Sequence, residues 1–179
     1  MKTKQCQVLV VGAGPGGYVA AIRSAQLGLK TIIVEGERAG GTCLIRGCIP
    51  SKALIHAAHT FHNLAKHTAK DGHMGITIPG PAELEMSNLV GWKEGIVDRL
   101  NKGVEALLKN AGAELVTGWA VFQDAKTVKI GEGKDATLIQ ADHVIMAQGS
   151  LPVELPVMPF SEHVRSSREA LSLEDLPDH

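Results

Sequence analysis

Aromatic residues are scarce in this 179-residue chain, which has three phenylalanines, two tryptophans and one tyrosine, and its net charge is only −1. So few aromatic rings give no stacking platform for single-stranded nucleic acid. A nearly balanced charge gives no attraction to a nucleic-acid polyanion or an anionic membrane. We therefore expect no nucleic acid and no membrane among its partners. The length fits one ordinary domain or two small ones.

Long apolar runs and a secretory leader are also missing. No run approaches the roughly 20 apolar residues that a membrane-spanning helix needs. Residues 1–6 lead directly into an apolar stretch, without the body or the small-residue cleavage site of a signal peptide. We therefore expect a cytoplasmic protein. The three cysteines, Cys6, Cys43 and Cys48, are too few for a structural disulfide framework, and a pair among them would be catalytic or redox-sensing.

What the chain does contain is a strand–turn–helix–strand unit near its start. Residues 7–11 are a short, valine-rich run typical of a buried strand, and residues 30–35 are a second such run. Between them a glycine-rich turn opens a helix that we expect to end at about residue 27, with Gly28 as its stop signal. These elements together form a βαβ unit.

The glycine-rich turn has the G-x-G-x-x-G spacing of a dinucleotide-binding loop, with Gly12, Gly14 and Gly17 at the glycine positions. Gly12 allows the tight turn, Gly14 lets the backbone approach a pyrophosphate, and Gly17 lets the helix pack close to the strand. The amino terminus of the helix presents free amides to the phosphates. Glu35, 23 residues after Gly12, is placed to accept hydrogen bonds from an adenosine ribose. A plain turn with a surface glutamate is the alternative, and this unit alone does not separate FAD from NAD.

Cys43 and Cys48 are separated by four residues in the stretch GGTCLIRGCIPSK. Gly47 gives the backbone the freedom to bring the two sulfurs within bonding reach. Cys48 precedes a predicted helix, whose dipole favours a thiolate, and Arg46 adds positive charge. Two inert buried thiols, a structural disulfide, and a zinc or iron–sulfur site are the alternatives, although a metal site would need further ligands. Cys6 is expected in the core of the first strand.

The remaining sequence predicts an α/β fold with a Rossmann-like parallel sheet and a small antiparallel β-meander. A turn-rich stretch is expected at 36–50, helices at about 51–70 and 87–110, a loop at 71–81, strands at 114–117 and 143–147, a meander at 119–141, and irregular chain from there to residue 179. Ser87 is the expected cap of the second helix. Its core-facing stripe is expected to be Leu89, Trp92, Ile96, Leu100, Val104 and Leu107.

Several histidines lie close together in the sequence. His56, His59 and His62 recur at three-residue steps on the first of these helices, and His67 and His73 follow. This spacing could place two of them on a metal ion, but no acid or cysteine is positioned to complete the set. We interpret them as part of a solvated or half-buried helix face.

The stretch GGTCLIRGCIPSKAL resembles the active-site signature of the pyridine nucleotide–disulfide oxidoreductases. Its ending at residues 49–54, and the later stretch WKEGIVDRL at residues 92–100, resemble the dihydrolipoamide dehydrogenases of that family. The likeness covers essentially the whole chain. Two positions depart from the family pattern: Ile45, followed by Arg46, stands where asparagine is usual, and Gln148 stands where threonine is usual.

The resemblance implies that FAD is the cofactor of the βαβ unit and that Cys43 and Cys48 form a redox-active disulfide. Cys43 would meet dihydrolipoamide, and Cys48 and Lys52 would lie beside the flavin. Backbone at residues 118–120 would face the adenine. The implied cofactor-binding positions are Gly12, Gly14, Pro15, Gly16, Gly17, Glu35, Gly36, Gly41, Thr42, Cys43, Cys48, Lys52, Gly118, Ala120 and Gly149.

The resemblance also implies a reaction and an architecture. Dihydrolipoamide would be oxidised to lipoamide, with electrons passing through the disulfide and FAD to NAD. Family chains continue into an NAD-binding domain and a dimerisation domain that supplies a catalytic histidine, so we expect a truncated portion that is inactive in full turnover. Residues 1–150 would be the first segment of the FAD-binding domain, and residues 151–179 a linker. 

Expected partners follow from the same resemblance. They are the lipoyl-bearing subunit of a 2-oxo acid dehydrogenase complex and, in the complete enzyme, a second copy in a homodimer. The alternatives are another disulfide reductase of the glutathione or mercuric type, and a non-catalytic flavin-binding fragment.

Overall fold

The structure is a computed structural model that describes residues 2–68 and 74–176. The strands are β1 Lys2–Val11, β2 Thr31–Glu35, β3 Glu114–Thr117, β4 Ala120–Phe122, β5 Thr127–Ile130 and β6 Thr137–Met146. The helices are α1 Pro15–Gln26, α2 Gly41–Arg46, α3 Cys48–His67, α4 Met86–Ala111 and α5 Ser167–Ala170. The predicted helix end at Lys70, the loop residues 71–73 with Gly72 and His73, and residues 177–179 lie outside the described residues.

The described strands form a six-stranded sheet in the order β3-β2-β1-β6-β5-β4. Neighbours from β3 to β6 are parallel, and β6, β5 and β4 are antiparallel. The predicted α/β class, with a parallel sheet and a small antiparallel meander, is confirmed. The division at 141–143 is wrong, because β6 is one strand that pairs with β1 on one side and β5 on the other. No glycine or proline interrupts it, and its polar Asp142 and His143 are exposed.

The core lies on both faces of the central parallel strands. Leu9 and Val10 of β1 and Ile32 and Ile33 of β2 are at most 1% exposed. Strands buried on both faces contain continuous apolar runs, as these do, and each such side chain contributes about 1.5–3 kcal/mol on burial. β1 begins at Lys2, earlier than the predicted residue 7, because its polar first half continues the backbone ladder with β6.

The stretch predicted to be rich in turns, 36–50, has bends and turns over its first five residues, and the prediction is wrong for most of the rest. It contains all of α2, and α3 begins at Cys48 rather than near Ser51. The glycines and the proline that favour turns lie at helix starts: Gly41 opens α2 and Pro50 is the third residue of α3. The first turn of a helix has no backbone acceptor for its amides, so proline is tolerated there.

Helix α4 buries a different face from the predicted one. Its buried residues are Val90, Lys93, Val97, Asn101, Val104 and Leu108, which recur at helical spacing. Of the predicted stripe, Trp92, Leu100 and Leu107 are exposed. The buried face contains two polar residues, so the apolar pattern alone points to the neighbouring face. The helix begins at Met86, one residue before the predicted cap.

The chain divides into two compact units. We call Met1–Ile45 with Asp98–Pro152 the sheet unit, and Arg46–Val97 with Val153–His179 the helical unit. The functional boundary expected at residue 150 stays a prediction. In the stretch expected to be irregular, α5 forms a single turn, where Ser166 and Glu169 make a capping box. Across residues 2–68 and 74–176, no helix has the length and apolarity needed to cross a membrane.

Candidate functional site

The turn after β1 requires glycine at its first position. Gly12 has φ +98°, and a Cβ atom there would lie 2.3 Å from the carbonyl oxygen of Ala147. Two hydrogen bonds hold these backbone segments close together. The Gly12 amide donates to the Val34 carbonyl at 2.8 Å, and the Ala147 amide donates to the Val11 carbonyl at 2.8 Å. The loop is therefore held directly against the carboxyl ends of β2 and β6.

The helix that follows is equally close to the loop. A Cβ atom on Gly17 would lie 1.8 Å from the carbonyl oxygen of Gly12, so a side chain there has no room. Gly14 is the N-cap of α1 and supplies no side-chain cap, and Pro15 is the first helical residue. Gly16 is exposed, with no atom within 4 Å of a Cβ placed on it. The first-turn amides of α1 thus remain available to an anionic ligand.

A second glycine pair packs on this loop. The Gly40 amide donates to Ala13 at 2.7 Å, and Gly41, with φ +64°, would bring a Cβ atom to 2.5 Å from the Gly14 Cα. The buried Asn101 of α4 donates its side-chain amide to the carbonyl of Ala39 at 2.7 Å. Asn101 therefore holds the strand-to-helix connection from within the sheet unit. Sequence reasoning missed it, although a polar residue in line with Val97 and Val104 was a usable signal.

Glu35 lies at the end of β2 with its carboxylate turned to the loop. One oxygen accepts the Ala13 amide at 2.8 Å and the other accepts the Glu37 amide at 3.0 Å. An ionised carboxylate offers about four acceptor sites, so about two remain for a ligand. Backbone donors thereby orient the acid next to the glycine turn.

The start of the meander adjoins the same acid. The Gly118 amide donates to the backbone oxygen of Glu35 at 2.8 Å, and Gly118 has φ +142°. A Cβ atom on Gly36 would lie 2.8 Å from the Trp119 ring. Ala120 is half-buried at the start of β4. The predicted residues Gly36 and Gly118 therefore lie beside Glu35, and Trp119 packs on Gly36 as a neighbour that sequence reasoning did not single out.

The other predicted positions of the sheet unit are more peripheral. Thr42 is exposed and Cys43 half-buried, both on α2. Gly149 follows β6 with φ +71° and is exposed, with open space around it. The structure thus packs Gly17 on Gly12 and Gly41 on Gly14, and it bonds Glu35 to the same loop, while the roles of all these residues in binding stay predictions.

In the helical unit, Cys48 and Lys52 share one face of α3. Cys48 is the first residue of the helix and an exposed free thiol, and Lys52 is exposed one turn later. The Ser51 hydroxyl donates to the Gly47 carbonyl at 2.6 Å across this first turn. A sulfur at this position meets both the positive end of the helix dipole and a lysine charge. The pairing of Cys48 with Cys43 stays a prediction.

The remaining cysteine and the histidines take the positions expected of them. Cys6 is a buried free thiol, 6% exposed, as predicted, and burial raises its pKa. His56, His59 and His62 are exposed on α3. In the described part of the chain, no group of three or more histidine, cysteine or acidic side chains could hold a metal ion.

The chain is similar to curated proteins named dihydrolipoyl dehydrogenase. It is 49% identical to the one from Pseudomonas aeruginosa over 171 residues, which cover 95% of this chain and 36% of the relative. It is 46% identical to the one from Geobacillus stearothermophilus, with 97% of this chain and 36% of the relative covered. The chain therefore spans just over a third of the length of these relatives.

Solved structures share the fold at low sequence identity. LpdA from Mycobacterium tuberculosis has a TM-score of 0.81 at 22% identity, covering 97% of this chain and 38% of that one. The HOCl-induced flavoprotein disulfide reductase RclA from Escherichia coli has a TM-score of 0.75 at 22% identity, covering 96% and 35%. The family model described as Pyridine nucleotide-disulphide oxidoreductase matches residues 6–179. The chain belongs to the pyridine nucleotide-disulphide oxidoreductase family.

Proposed function

We propose that this chain is the FAD-binding and redox-disulfide portion of a dihydrolipoamide dehydrogenase. The observation that carries the proposal is the glycine cradle beside Glu35, in a chain 49% identical to a protein named dihydrolipoyl dehydrogenase. Family membership implies FAD as the cofactor, with NAD in the complete enzyme. The proposal includes the segment limits, with residues 1–150 for FAD binding and residues 151–179 as a linker.

The residues of the cradle fit a dinucleotide. The pyrophosphate of FAD would meet the backbone of Gly12 to Gly17, where the first turn of α1 supplies amide donors without a competing side-chain cap. The ribose hydroxyls would donate to the remaining acceptor sites of Glu35. A 2′-phosphate would be repelled by that carboxylate, which favours an unphosphorylated ribose.

The two cysteines would carry the thiol–disulfide step. A thiolate of dihydrolipoamide attacks Cys43 Sγ, the bond from Cys43 to Cys48 breaks, and Cys48 leaves as a thiolate. The second substrate thiol then displaces Cys43, so the substrate dithiol becomes a cyclic disulfide and loses two electrons and two protons. The protein disulfide gains the two electrons. The glycine loop and Glu35 would hold FAD, which would supply a two-electron acceptor for the reduced cysteine pair, with NAD as the final acceptor in the complete enzyme.

The chain favours Cys48 as the leaving sulfur. It is the first residue of α3, where unpaired backbone amides and the helix dipole stabilise negative charge. Lys52 adds a positive charge on the same face. Positive charge beside the leaving sulfur favours its departure in the exchange step.

The setting is part of the proposal. A reversible dithiol at this site works in a reducing compartment, so we place the protein in the cytoplasm. Its partner would be the lipoyl-bearing subunit of a 2-oxo acid dehydrogenase complex, and a second copy in a homodimer. Relatives named dihydrolipoyl dehydrogenase support the proposed lipoyl-bearing partner.

Two experiments test the proposal, and the first measures FAD binding. FAD is added to the purified chain and its binding is followed by flavin fluorescence. Glu35→Gln should weaken binding about tenfold, the loss of one charged hydrogen bond, and Glu105→Gln on the exposed face of α4 should not. Absence of FAD binding by the native chain would contradict the proposal.

The second experiment identifies the thiol that reduces the proposed disulfide. Thiol labelling of the unreduced chain should spare Cys43 and Cys48, and dihydrolipoamide should open the disulfide faster than glutathione at equal thiol concentration. Cys43→Ser is the matched variant: it cannot form the disulfide, so Cys48 should be labelled without reductant and dihydrolipoamide should have no bond to open. An equal or faster reaction with glutathione would favour a glutathione-type reductase instead.

A further inference from the structure

Trp119 is a large aromatic side chain that the fold leaves open on one side. It is 66% exposed, and it follows β3 in the sheet unit. A Cβ atom on Gly36 would lie 2.8 Å from both carbons of the ring-fusion bond, Cδ2 and Cε2. Only an approach from above the ring plane reaches both interior carbons at equal distance. One face of the indole therefore packs on Gly36, and the exposed surface of Trp119 is the remainder of the ring.

The position of this indole is fixed from its backbone. Thr117 pairs with Glu35 in the sheet, and the Gly118 amide donates to the Glu35 backbone oxygen at 2.8 Å. Gly118 has φ +142°, and a Cβ there would lie 2.4 Å from an Ile130 methyl carbon, so a side chain at this position would strain the backbone and displace Ile130. The ring is thus held by its backbone next to the acid assigned to the ribose.

We propose that the exposed side of Trp119 stacks on the purine base of the bound nucleotide and makes the site selective for adenine. The inference rests on the proposed FAD function, because it uses Glu35 as the ribose ligand. A base is bonded directly to its ribose, so a ribose held at Glu35 puts the base beside the neighbouring residue 119. An aromatic ring there offers a stacking surface, and purines stack better than pyrimidines.

A purely structural role makes a different prediction. If the indole served only to cover Gly36, its replacement would affect all nucleotides equally through the shape of the loop. If it stacks on the base, replacement would affect nucleotides according to their base while ribose and phosphate contacts remain. A pair of nucleotides with the same ribose and diphosphate separates the two roles.

The experiment uses ADP and UDP with the full chain. Calorimetric titration should show native protein binding ADP more tightly than UDP. Trp119→Leu should weaken ADP binding about tenfold and UDP binding less than twofold, the difference expected from one base–aromatic stack. Trp119→Phe should restore most of the preference. Trp92→Leu, which removes the other tryptophan from an exposed position on α4, should change neither affinity.

A fluorescence arm reports the contact itself. In Trp92→Phe, Trp119 is the single tryptophan, and ADP should quench its emission. Equal losses for ADP and UDP in Trp119→Leu, or an unchanged ADP affinity, overturn the stacking role while FAD binding by the native chain leaves the proposed function standing. If the native chain binds neither ADP nor FAD, both fail together. Unfolding curves of the variants check that the fold is retained.

Discussion

The glycine loop at residues 12–17 and the first turn of α3 carry the two halves of the proposed chemistry, and the sequence specifies them in opposite ways. In the loop, the lack of space requires glycine, because a Cβ on Gly12 would lie 2.3 Å and a Cβ on Gly17 would lie 1.8 Å from a carbonyl oxygen. In the helix, Cys48 and Lys52 are exposed, so packing does not demand their identities.

This difference teaches how to interpret substitutions in each region. A side chain added to the loop displaces backbone, and the cost falls on folding before any ligand is bound. A polar replacement at an exposed helix position leaves the fold unchanged and alters only the chemistry. A stability measurement therefore separates the two regions more sharply than an activity measurement does.

The largest effect is expected for Gly17→Ala. Its methyl group would overlap the Gly12 carbonyl oxygen, so the chain should lose about 3 kcal/mol of unfolding free energy. The matched control is Gly103→Ala in the interior of α4, where nothing lies within 4 Å of the new Cβ. Alanine favours helix there by at most about 1 kcal/mol, so the control should be stabilised. Denaturant unfolding of both proteins measures the contrast, and equal stabilities would refute the crowding argument.

A much smaller effect on folding is expected for Cys48→Ser. The residue is exposed, so with both proteins kept reduced the unfolding free energy should change by about 0.5 kcal/mol or less, while the proposed disulfide with Cys43 can no longer form. A loss of stability as large as that of Gly17→Ala would erase the comparison between the regions.

Cys6 supplies the internal control for thiol reactivity. Burial raises its pKa, so its thiol stays protonated to higher pH, and the stability this contributes is lost as pH rises through that raised value. Alkylation of the reduced native protein should therefore label Cys48 rapidly and Cys6 slowly. Mass spectrometry of timed samples reads the order directly, and equal rates would show that β1 opens readily.

The loop could be predicted from sequence because its demands are local. Three glycines at fixed spacing after a valine-rich strand predict the tight turn, the close approach of the backbone to a ligand and the contact between helix and strand. Strand β3 was predicted with its observed bounds, Glu114–Thr117, for the same reason, since a short apolar run lies between a glycine and another turn signal.

The rest depends on partners distant in sequence. Asn101 is buried because it donates to Ala39, 62 residues earlier, and no periodicity reveals that acceptor. Lys93 is 1% exposed and pairs with Glu94, so a charged residue stands in the middle of a buried face. An apolar pattern misplaces a helix face when polar residues with specific partners occupy it. The contact of Trp119 with Gly36 is non-local in the same way.

The smallest effect is expected at Asp124, in the turn between β4 and β5, where neither crowding nor chemistry is at stake. Its carboxylate accepts the Lys126 amide at 2.8 Å, and this hydrogen bond lowers its pKa below the usual range. A lowered pKa gives stability that is present above the unfolded value and lost as pH falls below about 4. Asp124→Ala should therefore cost more stability at pH 7 than at pH 2.5, because acid removes the negative charge but leaves an acceptor oxygen. Asp124→Asn, which keeps an acceptor oxygen without the charge, should lie between the native chain and Asp124→Ala at pH 7. Unfolding midpoints of the three proteins at both pH values measure this, and an Asp124→Ala deficit as large at pH 2.5 as at pH 7 would show that the charge contributes nothing.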